Sequence, residues 1–143
     1  MSQRCIRDVI AGGQLVTASK ETTVVDAARA MTKAHVGAIL VVEGGALAGI
    51  FTERDALQRV LAKGVDPAVT PLSQVMTAKP VTVGPDLPLG HALHLMYEGG
   101  FRHVPVVDQG KPVGMVSARD ALGDEQSNFE RELLLREDIN QIL

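Results

Sequence analysis

The chain has 143 residues, 45% of them hydrophobic, which is enough for one compact domain with an apolar core. Its net charge of −3 disfavours nucleic-acid binding, and a single cysteine, Cys5, excludes an internal disulfide framework. No apolar run reaches the ~18 residues that a membrane span needs, so these features favour a cytoplasmic protein.

The first half of the chain predicts an alternation of helices and short strands. Apolar residues recur at helical spacing from Val24 to Ala34 (Val24, Val25, Ala28, Met31 and Ala34), and this helix is predicted to stop near Gly37. Two continuous apolar runs separated by Gly44-Gly45 predict a β-hairpin. The predicted elements in order are a helical turn (Ile6–Ile10), a strand (Leu15–Thr17), the helix, the two hairpin strands (Ala38–Val42 and Leu47–Phe51) and a closing helix (Glu53–Lys63).

The second half repeats this order. A shift of 65 positions aligns residues 16–57 with residues 81–122 without a gap, and twelve of the 42 pairs are identical, against roughly two or three expected by chance. The second copy predicts a lead-in turn (Leu72–Met76), a strand (Val81–Val83), a helix through Leu89, Ala92, Leu93 and Met96 that stops at Gly99-Gly100, and two hairpin strands (Val104–Val107 and Val113–Val116). The chain therefore carries an internal duplication.

One motif stands at the same place in both copies. It consists of a glycine, two apolar residues, a hydroxyl residue, two variable positions and an aspartate, in the segments Gly49–Asp55 and Gly114–Asp120. The hydroxyls of Thr52 and Ser117 are suited to cap a helix. A corner with free N–H groups, a hydroxyl and a carboxylate also suits a phosphate and a ribose.

The remaining segments set the predicted boundaries. Two prolines and a glycine in residues 64–71 indicate a linker. We therefore divide the chain into a first repeat (1–64), a linker (65–71), a second repeat (72–124) and a C-terminal helix (125–143). The apolar stripe of that helix (Leu134, Leu135, Ile139, Ile142 and Leu143) is expected to be buried against the first repeat or a dimer partner.

Two β-α-β-β-α units that carry this motif resemble the CBS domain family from about Ile6 to Gly123. The resemblance also rests on the matching segments Asp8–Ile10 and Gln74–Met76, the Val-Thr pair that opens each copy, and the run Phe101–Val107. The sequence looks like stand-alone bacterial CBS-pair proteins of the signal-transduction type. It implies an α+β fold of tandem repeats packed sheet to sheet with pseudo-twofold symmetry, a homodimer, and clefts that bind adenosine-containing ligands. AMP is the first candidate, with ADP, ATP, S-adenosylmethionine and NAD(H) as alternatives.

The resemblance implies a role for each candidate residue. Asp55 and Asp120 suit the ribose hydroxyls, Thr52 and Ser117 a phosphate oxygen, and nearby cations the phosphate charge. Adenine would lie between strand segments, with backbone groups contacting the base edge. The full set of predicted ligand-binding residues is Thr17, Gly37, Ala38, Thr52, Arg54, Asp55, Thr82, Arg102, His103, Pro105, Ser117, Arg119 and Asp120.

The two copies differ where the second has Arg102–Pro105 and the first has Gly37–Leu40. Two interpretations stay open. Either the first site uses Arg102 and His103 from across the interface, or one of the two clefts is weak or empty.

Other functions are weighed against the regulatory one. No nucleophile lies beside a base in the sequence, which disfavours an enzyme. His91 and His94 lack further ligands for a metal and are predicted to be solvated, and Cys5 to be inert. A structural homodimerisation module with degenerate clefts is the alternative function. The expected partners are an adenosine-containing small molecule, a second copy of the chain and a downstream protein.

Overall fold

The computed structural model describes residues 4–121 and 132–136. Between residues 4 and 121 the α-helices are α1 (Ile6–Ile10), α2 (Val24–Ala34), α3 (Glu53–Asp55) and α4 (Leu89–Gly99), and α3 continues as a π-helical segment, Ala56–Leu61. The six strands are β1 (Thr17–Ala18), β2 (Ala38–Glu43), β3 (Ala46–Thr52), β4 (Thr77–Ala78), β5 (His103–Asp108) and β6 (Lys111–Ser117). Short 3-10 turns cover Leu72–Gln74 and Ala118–Ala121. The α+β class and the repeated order of elements are confirmed.

Each repeat is built on an antiparallel hairpin, β2–β3 in the first and β5–β6 in the second. The register shifts between Val41 and Val42 and, 65 residues later, between Val106 and Val107. Continuous apolar runs form these strands because both faces of each hairpin are largely covered. Both predicted hairpins are confirmed, and the duplication extends to the position of the irregularity.

The short first strands differ from their prediction. In the first repeat, β1 begins two residues later and ends one residue later than predicted, and it pairs parallel with β2. In the second, Val81–Val83 is wrong as a strand, because only Val83 pairs, in a single bridge to Val106. Pro80 and Pro85 flank this run and lack amide hydrogens, which limits pairing on either side. Strand β4, which pairs with β3, was not predicted.

The two long helices end differently. Helix α2 is capped at its start by Thr23, whose hydroxyl accepts from the Asp26 N–H. It ends at Ala34, near Gly37 as predicted, but His35 and not the glycine takes the left-handed conformation at its end (φ 56°). Helix α4 ends at Gly100 with φ 72°, as its glycine pair predicted. The left-handed turn at His35 is stabilised by its N–H bonds to carbonyls of the preceding turn.

The lead-in segments of the two repeats are exchanged. Ile6 of α1 is fully buried in the core of the second repeat with Val104, Val106 and Val116. Leu72 and Val75 are buried in the core of the first repeat, around α2 and β2. Matching backbone bonds hold both segments, with Ile6 N–H donating to the Leu87 carbonyl and Leu72 N–H to the Thr22 carbonyl. Each core is therefore completed by the other half of the chain.

The sheets of the two repeats meet through a smaller apolar cluster. Ala38, Leu40 and Ile50 are buried there, and Leu47 and Met115 pack against them. Strands β3 and β6 are in contact across this junction. The predicted sheet-to-sheet packing of the repeats is confirmed.

The C-terminal segment is helical over residues 132–136. Leu134 and Leu135 are exposed there (62% and 56%), so they are not buried against the first repeat, and their burial against a dimer partner stays a prediction. The other residues of the predicted stripe lie outside the described residues.

Candidate functional site

The duplicated motif closes on itself in both repeats, with a reciprocal helix cap in the first and with bonds from Ser117 to the Asp120 carboxylate in the second. In the first, the Asp55 N–H donates to the Thr52 hydroxyl, and the Thr52 N–H donates to Asp55 Oδ2 at 3.0 Å. In the second, the Ser117 N–H donates to Asp120 Oδ2 at 2.8 Å. A reciprocal bond between the first cap position and the third helical residue satisfies N–H groups that a helix start leaves unpaired. The hydroxyl and the carboxylate of each motif thus have a structural role whatever else they do.

The glycine that opens each motif is required by close packing. A Cβ on Gly49 would lie 2.6 Å from the Met76 sulfur and 2.8 Å from the Thr77 carbonyl oxygen. A Cβ on Gly114 would lie 2.8 Å from the Ile10 Cβ. Each glycine therefore admits the lead-in segment of the other repeat against its strand.

A cavity of about 810 Å³ lies between the repeats. The second repeat contributes Ser117, Arg119 and Asp120 from the motif, together with Arg102 and His103 from the start of β5. The first repeat contributes Gly37 and Ala38, beside the apolar walls of α2 and β3. The volume falls in the range of small-molecule sites. Seven of the thirteen predicted residues therefore meet around one space.

The polar groups of this cavity are arranged around Asp120. Its Oδ2 is bonded to Ser117, whereas its Oδ1 accepts no hydrogen bond from the described residues. Arg102 and Arg119 are exposed and likewise form no hydrogen bond or ion pair within the described part of the chain. A carboxylate oxygen and two guanidinium groups are thus available to a ligand that has hydroxyl groups and negative charge.

His103 lies in the wall of the cavity, and its Nε2 would be 3.3 Å from a Cβ on Gly37. Burial lowers the pKa of His103 below its usual 6.5, although the nearby Glu53 carboxylate acts in the opposite direction. The imidazole is therefore neutral at pH 7. It is available as a hydrogen-bonding group and brings no charge to the site at that pH.

The other six predicted residues do not line this cavity. Thr17 and Thr82 are exposed on the short first segments, and Pro105 is buried within the β5–β6 hairpin. The Arg54 guanidinium donates to the Gly100 carbonyl at 2.7 Å and so ties α3 to the end of α4. Thr52 and Asp55, the remaining two, are bonded to each other within the first cap.

Several lining residues were not predicted. Val9, Ile10, Gly13 and Gln14 come from the N-terminal lead-in, which reaches the second repeat through the exchange. Local sequence patterns carry no signal for this exchange, because it depends on tertiary packing. Glu53 also lines the cavity. It could have been predicted as a site residue, because it lies inside the first motif.

Among the described residues no group of three or more His, Cys, Asp or Glu side chains could hold a metal ion. His91 and His94 are exposed, and His94 Nε2 lies 3.0 Å from Glu98 Oε1. Cys5 is half-buried and its thiol donates to the Pro85 carbonyl. No helix of the described segments is long and apolar enough to cross a membrane.

Comparison with known proteins identifies the family. The CBS domain model matches residues 6–62 and again residues 72–124. The CBS domain-containing protein YhcV of Bacillus subtilis is 40% identical over 115 residues, which cover 80% of this chain and 81% of that protein. The chain spans only about a fifth (22%) of the length of the Arabidopsis thaliana relative CBSCBSPB2, with 38% identity over 117 residues, or 81% of this chain. The chain belongs to the CBS domain family, as the sequence motifs predicted.

Solved structures with the same architecture include ligand complexes. The CBS domain protein PAE2072 from Pyrobaculum aerophilum, complexed with AMP, has a TM-score of 0.75 and 26% identity, covering 81% of this chain and 88% of that one. The CBS domain pair of protein MJ0100, in complex with 5′-methylthioadenosine and S-adenosylmethionine, has a TM-score of 0.76 and 25% identity, covering 84% and 94%. Members of the same fold thus hold adenosine-containing ligands.

Proposed function

We propose that this chain is a regulatory module that binds an adenosine-containing small molecule in the cavity between its repeats. The observation that carries this proposal is the unengaged Oδ1 of Asp120 beside Arg102 and Arg119 in one cavity. The AMP and S-adenosylmethionine complexes of related CBS pairs support the ligand class. Family members are generally regulatory and not catalytic, which favours sensing over turnover.

Different residues of the cavity contact the ribose, the phosphate and the base of the ligand. Asp120 Oδ1 accepts from the ribose hydroxyls, and the hydroxyl of Ser117 lies beside it. Arg102 and Arg119 face the phosphate of AMP with charge-assisted bonds. Apolar side chains of the cavity, such as Met31 and Met115, cover the faces of the adenine ring. A neutral imidazole at His103 offers the base a hydrogen bond without a charge.

Calorimetric titration with AMP and S-adenosylmethionine, after a thermal-shift panel that adds ADP, ATP, NAD and NADH, tests the proposal. A ligand that binds the native state raises Tm by mass action. Asp120→Ala should weaken binding by roughly 1.5–3 kcal/mol because it removes charged hydrogen bonds. Asp26→Ala, which removes an exposed carboxylate on α2 that does not line the cavity, should leave the affinity unchanged.

The alternative function is a structural homodimerisation module with degenerate clefts. Nucleotide-free protein that binds none of these compounds would favour it. Exposed apolar side chains on the helices, among them Leu61 and Tyr97 (74% and 88% exposed), suit a homodimer interface. Sedimentation with and without ligand would measure the homodimer and any change of assembly that the ligand causes.

A further inference from the structure

We propose that the chain binds one adenosine ligand, at Asp120, and that Arg59 and Thr77 close the corresponding position around Asp55. The inference rests on the proposed function for its ligand. It goes further by assigning opposite roles to two motifs that look equivalent in the sequence.

The carboxylate of Asp55 is engaged at both oxygens. Oδ2 accepts from the N–H and the hydroxyl of Thr52, at 3.0 and 3.2 Å. Oδ1 lies 3.5 Å from Arg59 Nε and 3.5 Å from the Thr77 hydroxyl. Asp55 is only 7% exposed and is absent from the cavity wall. A ribose would have to displace partners that already occupy the carboxylate.

Arg59 also holds the strand that covers this position. Its guanidinium donates to the carbonyls of Met76 at 2.7 Å and Val75 at 3.3 Å, immediately before β4. Strand β4 pairs with β3 at Gly49 and Ile50, so it lies along the strand that leads into the first motif. The same side chain therefore neutralises Asp55 and fastens β4 in place. Opening this position would cost an ion pair and several hydrogen bonds together.

The second repeat lacks both closing side chains. The lead-ins align with a shift of 66, which places Ile10 against Gly114 as Met76 lies against Gly49. By the same shift Ala11 stands where Thr77 would be, and it has no hydroxyl. The residue 65 positions after Arg59 is Asp124, so the sequence does not repeat the arginine. Residues 11–13 form no strand against β6, and Gly13 lines the cavity instead.

This difference follows from the residues and not from the motif. Both motifs keep their glycine, hydroxyl and aspartate, and in both the aspartate Oδ2 accepts from the N–H of the hydroxyl residue. What differs is the segment that the other repeat packs beside each aspartate. One segment supplies a hydroxyl and is fastened by an arginine, and the other supplies an alanine and two glycines.

Titration calorimetry of the wild-type chain with AMP and with S-adenosylmethionine tests the stoichiometry. We expect one ligand per chain and loss of binding by roughly tenfold or more in Asp120→Ala. Asp55→Asn should keep the wild-type affinity and stoichiometry. Two ligands per chain, or binding lost in Asp55→Asn and kept in Asp120→Ala, would overturn the assignment.

A second arm needs no ligand. Asp55→Asn should lower Tm by several degrees more than Asp120→Asn, because Asp55 is buried against a guanidinium and Asp120 is half-exposed. Equal decreases in Tm for the two variants would contradict the closure of the position around Asp55. If neither probe binds the wild type, the proposed function fails, and this comparison still decides whether the first position is closed.

The double variant Thr77→Ala with Arg59→Asp copies the second repeat and should raise the stoichiometry toward two. Unchanged stoichiometry in a folded double variant would contradict the role of these two residues.

Discussion

At the scale of single residues, His103 couples the cavity to pH. Its ring is half-buried at the start of β5, with Glu53 and Asp120 as nearby carboxylates and Arg102 as the adjacent cation. Burial outweighs the carboxylates, so the pKa in the folded protein lies below the 6.5 of the unfolded chain. The folded state therefore prefers the neutral imidazole.

The consequence for stability has a definite sign. A group whose folded pKa is lowered binds fewer protons in the native state, so its contribution is present above pH 6.5 and is lost as the pH falls through the folded pKa. We expect wild-type protein to lose more unfolding free energy between pH 7.5 and pH 5.5 than His103→Gln does. Urea unfolding at both pH values measures the difference. His91→Gln, at an exposed position on α4, is the control and should lose as much unfolding free energy between the two pH values as the wild type. The prediction would be contradicted if His103→Gln also lost as much as the wild type.

At the scale of elements, the packing of α1 on β6 depends on one missing side chain. The Ile10 Cβ would lie 2.8 Å from a Cβ on Gly114, and two further Ile10 carbons would lie within 3.0 Å. The Ile10 Cβ is fixed to its backbone and cannot rotate away. The short helix would have to move as a unit.

Gly114→Ala should therefore destabilise the protein by roughly 1–3 kcal/mol, as overpacked cores do. Gly90→Ala is the matched control, because Gly90 lies in α4 with no atom within 4 Å of its Cβ position. That variant should stay within about 1 kcal/mol of wild type. Urea unfolding curves compare the two. A Gly114→Ala protein as stable as Gly90→Ala would show that α1 does not pack on β6 as described.

The same elements show what local sequence can and cannot predict. The hairpins and long helices were predictable, because apolar runs and helical spacing act within one segment. The left-handed end of α2 at His35 was not, since a non-glycine residue is held there by the surrounding structure. The closure of the position around Asp55 was not predictable either. The two motifs have the same residue types at their defining positions, and the difference comes from Thr77, which belongs to the other repeat. Cavity residues within the motifs were found, whereas those contributed by the exchanged lead-in were missed.

At the scale of the whole molecule, the exchange of lead-ins makes two repeats into one cooperative unit. Removal of either half would leave the other core without a fully buried side chain, Ile6 in one case and Leu72 in the other. The inter-repeat cluster around Leu40 and Ile50 adds a third set of contacts that both halves share. Neither repeat can therefore keep its full core if the other one unfolds.

Ile6→Ala should lower the unfolding free energy by roughly 2–5 kcal/mol, the usual cost of emptying a core position. The loss should reach both hairpins, since unfolding of the second repeat releases Leu72 and Val75 from the first. Hydrogen exchange resolved by peptide would then show faster exchange in β2–β3 as well as in β5–β6, with one transition in circular dichroism. Val69→Ala, at a 72% exposed position, should change neither. Faster exchange confined to β5–β6 would mean that the repeats unfold separately. The exchanged lead-in segments would then not couple the stability of one repeat to that of the other.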